Sequence, residues 1–477
     1  MFECPVAVQV RQRPDDIALM TGELFWTFRE LDERVQSVVC ALRQSGLISG
    51  DVLMVCGRNS PRLVALILAC LRTGVIVLPV NPSFPKQKLT AIAEQVGIHA
   101  FWGDEDIAPD IFESIRFLCA PGRTEVTDWS FSWDDNRICN LVLTSGSSGL
   151  PKAAAHNFSC HRASAEASLE NIPLAPGNSW LLSLPLFHIG GLATLFRCLL
   201  AGATVILPDH RSDLTATLIR RQVSHLSLVN TQLYRLIKDE QLDFSQTQAR
   251  LILMGGGYVP ADLVERCQQQ GITMLTSYGM TEMSSQICTG SPVFGDGGAV
   301  TSGALLSGNQ VTIDDEGNVL VKGISLFKGY WQKGQLKLPL TDNGWFVTGD
   351  KGHWLEDDGR RLIQITGRAD FQFVSGGENI QPESIERVIL GLPEIQQTVV
   401  VPLPNEEFGQ RPVAFIECGG DFTPELWQQA LRKQLPGFMV PDDFLPWPEP
   451  SKSGLQAGLK IDRKAFAQLA SQLLAST

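Results

Sequence analysis

Between the apolar run Leu141-Val142-Leu143 and Ala153 lies the stretch Thr144-Ser145-Gly146-Ser147-Ser148-Gly149-Leu150-Pro151-Lys152. Glycine permits positive φ and lets a backbone approach a ligand closely. Hydroxyls and free N–H groups wrap phosphate oxygens, and a lysine adds a point charge. The stretch therefore suits the phosphates of a nucleoside triphosphate, with Thr144, Ser145, Gly146, Ser147, Ser148, Gly149 and Lys152 as ligands. A solvent-facing flexible loop would account for the Gly and Ser but not for Pro151-Lys152. A Walker loop needs Ser or Thr after its lysine, and Ala153 stands there. The nucleophile elbow needs Gly-x-Ser-x-Gly, and Gly146-Ser147-Ser148-Gly149 is one residue short. An amidase-type Gly-Ser-Ser-Gly loop with a nucleophilic serine stays open on these residues alone.

Other stretches carry matching chemistry. The apolar run ending at Met254 meets Gly255-Gly256-Gly257, where missing side chains let a ligand press against a strand end. Tyr278-Gly279-Met280-Thr281-Glu282 sets a hydroxyl beside a carboxylate, the oxygen ligands that suit a hard cation and its phosphates. By itself a Thr-Glu after a strand is a helix cap. Trp345-Phe346-Val347-Thr348-Gly349-Asp350, by itself, is an aspartate in a tight turn. Gly367-Arg368-Ala369-Asp370, Ser375-Gly376-Gly377-Glu378-Asn379-Ile380-Gln381-Pro382 and Gly458-Leu459-Lys460-Ile461-Asp462-Arg463 follow.

In this order, over residues 20 to 465, the motifs resemble those of the adenylate-forming superfamily of acyl-CoA synthetases, luciferases and peptide-synthetase adenylation domains. The resemblance implies ATP, Mg²⁺ and coenzyme A. It implies that the glycine-rich loop holds the β- and γ-phosphates, that Thr281 bonds a phosphate oxygen and that Glu282 holds the metal. Gly255, Gly256, Tyr278 and Gly279 are implied beside the nucleotide, with Asp350 on both ribose hydroxyls and Arg368 on ribose or phosphate. Asp370 is the implied pivot between two domains, and Ser375, Gly376, Gly377 and Glu378 the implied wall of the coenzyme A path. The family's closing motif is Gly-Lys-Ile-x-Arg, whose lysine reaches the α-phosphate and the substrate carboxylate. Here Leu459 replaces its glycine, but the Lys-Ile-x-Arg register is kept, which favours Lys460 over Lys452 as the catalytic lysine.

Ser183-Leu184-Pro185-Leu186-Phe187-His188 resembles the family segment whose last residue lines the acyl and thiol path, so His188 is expected in the site. This segment, the glycine-rich loop and Phe373–Glu378 resemble bacterial o-succinylbenzoate–CoA ligases of menaquinone biosynthesis. An aromatic dicarboxylic acid requires a cation for the carboxylate that does not react. Arg197 and Arg235 both lie on apolar helices, where a bare arginine is costly unless it snorkels to solvent. Thr231 and Gly257 are expected beside them. The expected activity is an ATP-dependent 2-succinylbenzoate–CoA ligase. The alternatives are another aryl- or fatty-acid–CoA ligase, an amidase-like serine hydrolase using only residues 145–149, and a catalytically dead binding protein.

The elements that must position these residues follow from patterning. A chain of 477 residues, 44% apolar and 19% charged, suits a globular protein of more than one domain. A net charge of −12 disfavours nucleic acid or an anionic membrane as partner and points to small-molecule substrates, leaving a homo-oligomer open. The 11 cysteines fall in no Cys-x-x-Cys pair and read as reduced core residues of a cytoplasmic protein. No signal peptide or membrane span is apparent.

A capping-box spacing, Thr27 to Glu30, opens a helix with Leu31, Val35, Val38, Val39 and Leu42 on one stripe. Strand 51–56, helix 61–73, strand 75–80, helix 85–96 and a strand near 99–102 then alternate. The rhythm resumes with helix 156–170, strand 180–184, helix 191–200, strand 204–207, helix 213–222, strand 225–229, helix 231–238, strand 250–254, helix 261–270 and strand 272–277. Such alternation predicts an α/β fold of parallel sheets layered with helices. Short strands with Gly and Asp turns predict a small β-subdomain at about 299–368. Helix 382–390, strands 397–401 and 413–417 and helix 424–435 predict an α+β unit. The expected division is an N-terminal adenylation domain, 1–368, and a mobile α+β C-terminal domain, 369–477.

Overall fold

The structure is a computed structural model that describes residues 2–103, 132–133, 136–144, 150–208, 214–255, 259, 261–295, 300–375, 378–405, 407–448, 456–457 and 460–475. The helix Phe28–Gln44 begins with the expected capping box: the Glu30 N–H donates to Thr27 Oγ1, and the Thr27 N–H to Glu30 Oε2. Its buried stripe is Phe28, Leu31, Val35, Val38, Val39 and Leu42. Helix Pro61–Thr73 starts at a Ser60 cap and stops at Gly74, whose φ of 81° only glycine takes without strain. Residues Leu63 to Leu71 are all buried, so this helix runs inside the layers.

Among the described residues the strands form a thirteen-stranded sheet, a seven-stranded sheet and smaller units. In the larger sheet Ile17–Thr21, Thr204–Ile206, Ser179–Leu181, His225–Leu228, Leu251–Met254 and Thr273–Met280 run parallel. The seven-stranded sheet has a parallel half, Ala100–Gly103, Val52–Cys56, Ile76–Val80 and Ile138–Thr144. Thr144, Gly255 and Tyr278 therefore stand at or near the carboxyl ends of parallel strands, the end at which open α/β sheets bind ligands. The strand-rich stretch 304–368 extends both sheets. Ala304–Leu305, Arg360–Arg368, Phe346–Asp357, Asn318–Gly323 and Asn309–Ile313 join the larger one, Gly329–Gln332 and Gln335–Lys337 the smaller.

Two expectations are corrected. The helix expected from His156 starts at Phe158, because Lys152–Asn157 is a strand antiparallel to Ile138–Thr144. Ala153, Ala154 and Ala155 have good helix propensity, but here they are buried between strands, where small side chains permit close packing. Asn157 then caps the helix through Oδ1, which accepts from the Cys160 N–H at 3.1 Å. The helix expected over 231–238 is also split, into α-helix Asn230–Tyr234 and π-helix Arg235–Asp239.

Beyond residue 370, strands Ile395–Asn405, Gly409–Cys418 and Asp443–Pro446 form a sheet against helices Pro382–Leu390 and Pro424–Leu431. They enclose a core of their own that includes Ile385, Ile389, Val400, Ile416, Trp427 and Leu431. Among the described residues no helix is long and apolar enough to cross a membrane. The described cysteines are free thiols, most of them buried.

Candidate active site

Strands Phe346–Asp357 and Arg360–Arg368 pair antiparallel and set Asp350 opposite Arg368. Gly349 has φ of 77°, and a Cβ there would come within 2.9 Å of Arg368 Nη2, so glycine lets the arginine lie over the turn. Arg368 Nη1 donates to Asp350 Oδ1 at 3.1 Å, and Nη2 to Asp370 Oδ2 at 3.1 Å. The Tyr278 hydroxyl donates to Asp350 Oδ2 at 2.6 Å. Burial, reinforced by the Asp350 charge, holds the Tyr278 phenol well above its ordinary pKa, so it stays a neutral donor. A carboxylate has about four acceptor positions. Tyr278 and Arg368 thus hold the Asp350 carboxylate in one orientation, an acceptor group of the type that a diol such as a ribose requires.

A second corner lies where the two sheets meet. Thr281–Met283 is a buried 3₁₀ turn after strand Thr273–Met280. The chain leaves it through Ser284 and Ser285 at φ of 54° and 120°, a strained passage for residues with a Cβ. At Gly279 a Cβ would lie 2.0 Å from the Ser285 carbonyl oxygen, so this close approach demands glycine. His156 Nε2 donates to the Thr281 carbonyl at 2.7 Å. Burial pushes the His156 pKa down to about 4, which leaves the ring neutral at physiological pH. The Phe327 N–H donates to the Glu282 carbonyl at 2.7 Å, and the Tyr330 hydroxyl to Glu282 Oε1 at 2.8 Å. Lys152 Nζ stands 4.9 Å above the Tyr330 ring. Among the described residues no three His, Cys, Asp or Glu side chains gather as a metal cage. A single carboxylate such as Glu282 instead suits Mg²⁺, which takes most ligands from phosphates and water.

A third corner is lined by neutral groups around one cation. Arg197, on helix Ile189–Ala201, is 1% exposed. Its Nη2 donates to Gln286 Oε1 at 2.6 Å, and its guanidinium carbon stands 4.7 Å from the Trp180 ring centre. Gln286 Oε1 also accepts from Ser168, and Gln286 Nε2 donates to Thr289. His225 stacks on Trp180 at 5.3 Å, and burial helped by the Arg197 charge pushes its pKa to about 4. Arg197 itself is pushed down by burial to about 10, so it remains a cation at neutral pH. Among the described residues its Nε has no acceptor and no carboxylate pairs with it. Nearby, Asn59 fastens the segment before His188: Nδ2 donates to the Leu184 carbonyl and Oδ1 accepts from the Leu186 N–H, both at 2.8 Å. His188, half-buried, caps the Arg197 helix and packs on Phe187. Arg235 is exposed, so solvent relieves it of the desolvation cost that Arg197 bears.

In the C-terminal part, Ser375 is buried and Glu378 exposed across the turn of a small hairpin. Arg411 Nη1 reaches Ser375 Oγ at 3.4 Å and the Phe438 carbonyl at 2.8 Å. The Lys460–Ile461 backbone pairs with Gln456–Ala457. Arg463 is clamped by Glu383 and Glu386, so the last residue of the closing motif ties helix Arg463–Ala475 to helix Pro382–Leu390.

The sequence pattern of AMP-binding enzymes matches residues 6–331, and that of the AMP-binding enzyme C-terminal domain matches residues 384–454. The chain belongs to the AMP-binding enzyme family. The 2-succinylbenzoate–CoA ligase of Salmonella typhimurium is 36% identical over 463 residues, covering 96% of each chain. That of Escherichia coli is 35% identical over 457 residues, again 96% of each. Among solved structures, an arginine-to-lysine variant of E. coli MenE with bound OSB-AMS superposes with a TM-score of 0.85 at 32% identity, covering 98% of this chain and 99% of that one. The o-succinylbenzoate CoA synthetase of Bacillus subtilis, in complex with the acyl-adenylate intermediate OSB-AMP, gives 0.85 at 26% identity over 97% of each chain. The same B. subtilis protein has been solved with ATP and a magnesium ion.

This AMP-binding enzyme draws together Lys152, Tyr278, Thr281, Glu282, Asp350, Arg368 and Asp370, all named from sequence. Ser145–Gly149, Gly256, Gly257, Gly376, Gly377 and Lys452 lie outside the described residues, as do the side chains of Thr231 and Lys460. Gly255 lies against Ser277, with room for a Cβ only at 3.4 Å from its Oγ. Sequence reasoning missed Tyr330, His156, Asn59 and Gln286. Each acts on a residue far away in the chain, and only the alanine run before His156 hinted at an unusual element.

Proposed function

We propose that this AMP-binding enzyme is an ATP-dependent ligase that activates 2-succinylbenzoate as its acyl-adenylate and passes the acyl group to coenzyme A. The observation that carries the choice of acid is Arg197, a buried cation whose neighbours are neutral and which meets no carboxylate among the described residues. Leaving such a charge unpaired is expensive. A substrate with a second carboxylate supplies the missing anion; a benzoate or a fatty acid does not.

The first half-reaction forms a bond between a substrate carboxylate oxygen and the α-phosphorus, and pyrophosphate leaves. Catalysis of this step is positioning and charge neutralisation. In our reading Asp350 takes the ribose hydroxyls, held in place by Tyr278 and Arg368. Thr281 bonds a phosphate oxygen, and Lys152 and the 144–149 loop hold the β- and γ-phosphates. Bound at Glu282, Mg²⁺ would supply charge neutralisation at the phosphates. Lys460 balances charge between the α-phosphate and the reacting carboxylate. The domain beyond Arg368 then turns at Asp370, and Ser375–Glu378 comes to line the thiol path beside His188. The thiolate sulfur attacks the acyl carbon, and AMP leaves.

The amidase reading uses only the 145–149 loop and gives no task to the Tyr278–Asp350–Arg368–Asp370 chain. The free thiols suit the reducing cytoplasm. A panel of acids tests the proposal through pyrophosphate release: 2-succinylbenzoate should exceed benzoate and medium-chain fatty acids in kcat/KM. Equal or better turnover of a monocarboxylate would overturn the choice of acid.

A further inference from the structure

The turn Thr281–Met283 belongs to the larger sheet, yet the groups that fix it come from the smaller sheet and the segment leading into it. His156, on strand Lys152–Asn157, holds the Thr281 carbonyl at 2.7 Å. Phe327 holds the Glu282 carbonyl through its N–H, and Ser325 accepts from Ser284 Oγ at 2.8 Å. Those bonds fix the backbone of the turn. They leave the carboxylate free to rotate, because the terminal torsion of a glutamate is broad and sets no plane by itself.

We infer that Tyr330 is a positioning residue that sets the plane of the Glu282 carboxylate and so presents one oxygen to the nucleotide-bound cation. The inference rests on the assignment of Glu282 to that cation. Tyr330 is itself well fixed. Its strand pairs on one side with Ala154 and on the other with Lys337, and its ring meets Phe327 edge-on at 4.9 Å. Gly329 allows this, since its φ is 131° and a Cβ there would lie 2.9 Å from the Lys337 carbonyl carbon. The Tyr330 hydroxyl donates to Glu282 Oε1 at 2.8 Å, so Oε2 is the oxygen that the inference assigns to the cation. The same ring carries Lys152 on its face. One side chain of the seven-stranded sheet thus fixes the metal carboxylate and the phosphate-loop lysine relative to each other, so the two sheets must be in register for both to meet one triphosphate.

The test is Tyr330→Phe, which removes one oxygen and keeps the ring under Lys152 and against Phe327. Affinity for Mn²⁺ is read by electron paramagnetic resonance in the presence of α,β-methylene-ATP, a nucleotide that cannot form the adenylate. Loss of a hydrogen bond to a charged group should weaken Mn²⁺ binding about ten-fold. The Mg²⁺ concentration for half-maximal pyrophosphate release should rise by a similar factor. Thioester formation from supplied acyl-adenylate and coenzyme A, which needs no triphosphate, should be unaltered. Unchanged Mn²⁺ affinity in a folded Phe variant overturns the inference, as does an equal loss in both half-reactions with a lowered melting temperature. A parent protein that releases no pyrophosphate from ATP and acid would instead overturn the ligase reading on which the inference rests.

Discussion

At Arg197 burial and charge oppose each other, and the pKa of about 10 records that burial has cost the cation stability without neutralising it. Gln286 and the face of Trp180 compensate only in part. An arriving carboxylate would form a charge-assisted, desolvated pair. Truncating one partner of such a pair costs roughly 2–5 kcal/mol. Arg197→Leu should therefore lower kcat/KM for 2-succinylbenzoate by about one and a half to more than three decades. An analogue lacking the spectator carboxylate should lose far less, because it never used the arginine. A loss shared by both acids would mean that Arg197 only supports the fold. Next to it, His225 has its pKa lowered to about 4 from 6.5. Between those values the unfolded chain binds more protons than the folded one, so stability is complete above pH 6.5 and falls as the pH drops toward 4. His225→Asn retains a polar group beside Ser224 and cannot titrate. Its melting temperature should decline less steeply from pH 6.5 to 4.5 than the parent's, and parallel curves would show that the ring is not held neutral.

Single elements differ in how far the chain announces them. Helices Pro61–Thr73 and Pro382–Leu390 were legible at both ends, because a proline at the first turn and a glycine after the last residue mark where hydrogen bonding begins and stops. The strand Lys152–Asn157 was not, since its last two residues read as a helix start and nothing in the alanine run names the neighbouring strand that takes its hydrogen bonds. The site shows the same contrast. Asp350, Glu282 and Arg368 stand in short local motifs. Tyr330 and His156 act across the gap between two sheets, and nothing in their local sequence carries that register. The element at 368–371 joins both scales: Arg368 grips Asp350 with one nitrogen and Asp370 with the other, so the proposed ribose ligand and the proposed pivot share one guanidinium. Asp370→Pro would fix φ near −65° inside the short 3₁₀ turn Ala369–Phe371. Stopped-flow measurement of each half-reaction should find one slowed far more than the other at nearly constant melting temperature. Parallel losses with a lower melting temperature would make residue 370 structural and move the pivot elsewhere.

At the scale of the whole molecule, two sheets meet at the Thr281–Glu282 turn, and a third unit with its own core follows Asp370. That layout suits a chemistry in which a nucleotide stays fixed while two successive nucleophiles, a carboxylate and a thiol, reach the same neighbourhood. The larger sheet and the turn after it supply Tyr278, Glu282, Asp350 and Arg368, the smaller sheet Thr144 and Lys152, and the C-terminal unit the Ser375 hairpin and Lys460. The central claim is tested most directly by product analysis with purified protein, ATP, Mg²⁺, coenzyme A and 2-succinylbenzoate. Liquid chromatography with mass detection should find AMP, pyrophosphate and the succinylbenzoyl thioester in equal amounts, and omission of coenzyme A should leave acyl-adenylate on the protein. Formation of ADP and phosphate, or hydrolysis of an amide or ester without ATP, would contradict the account.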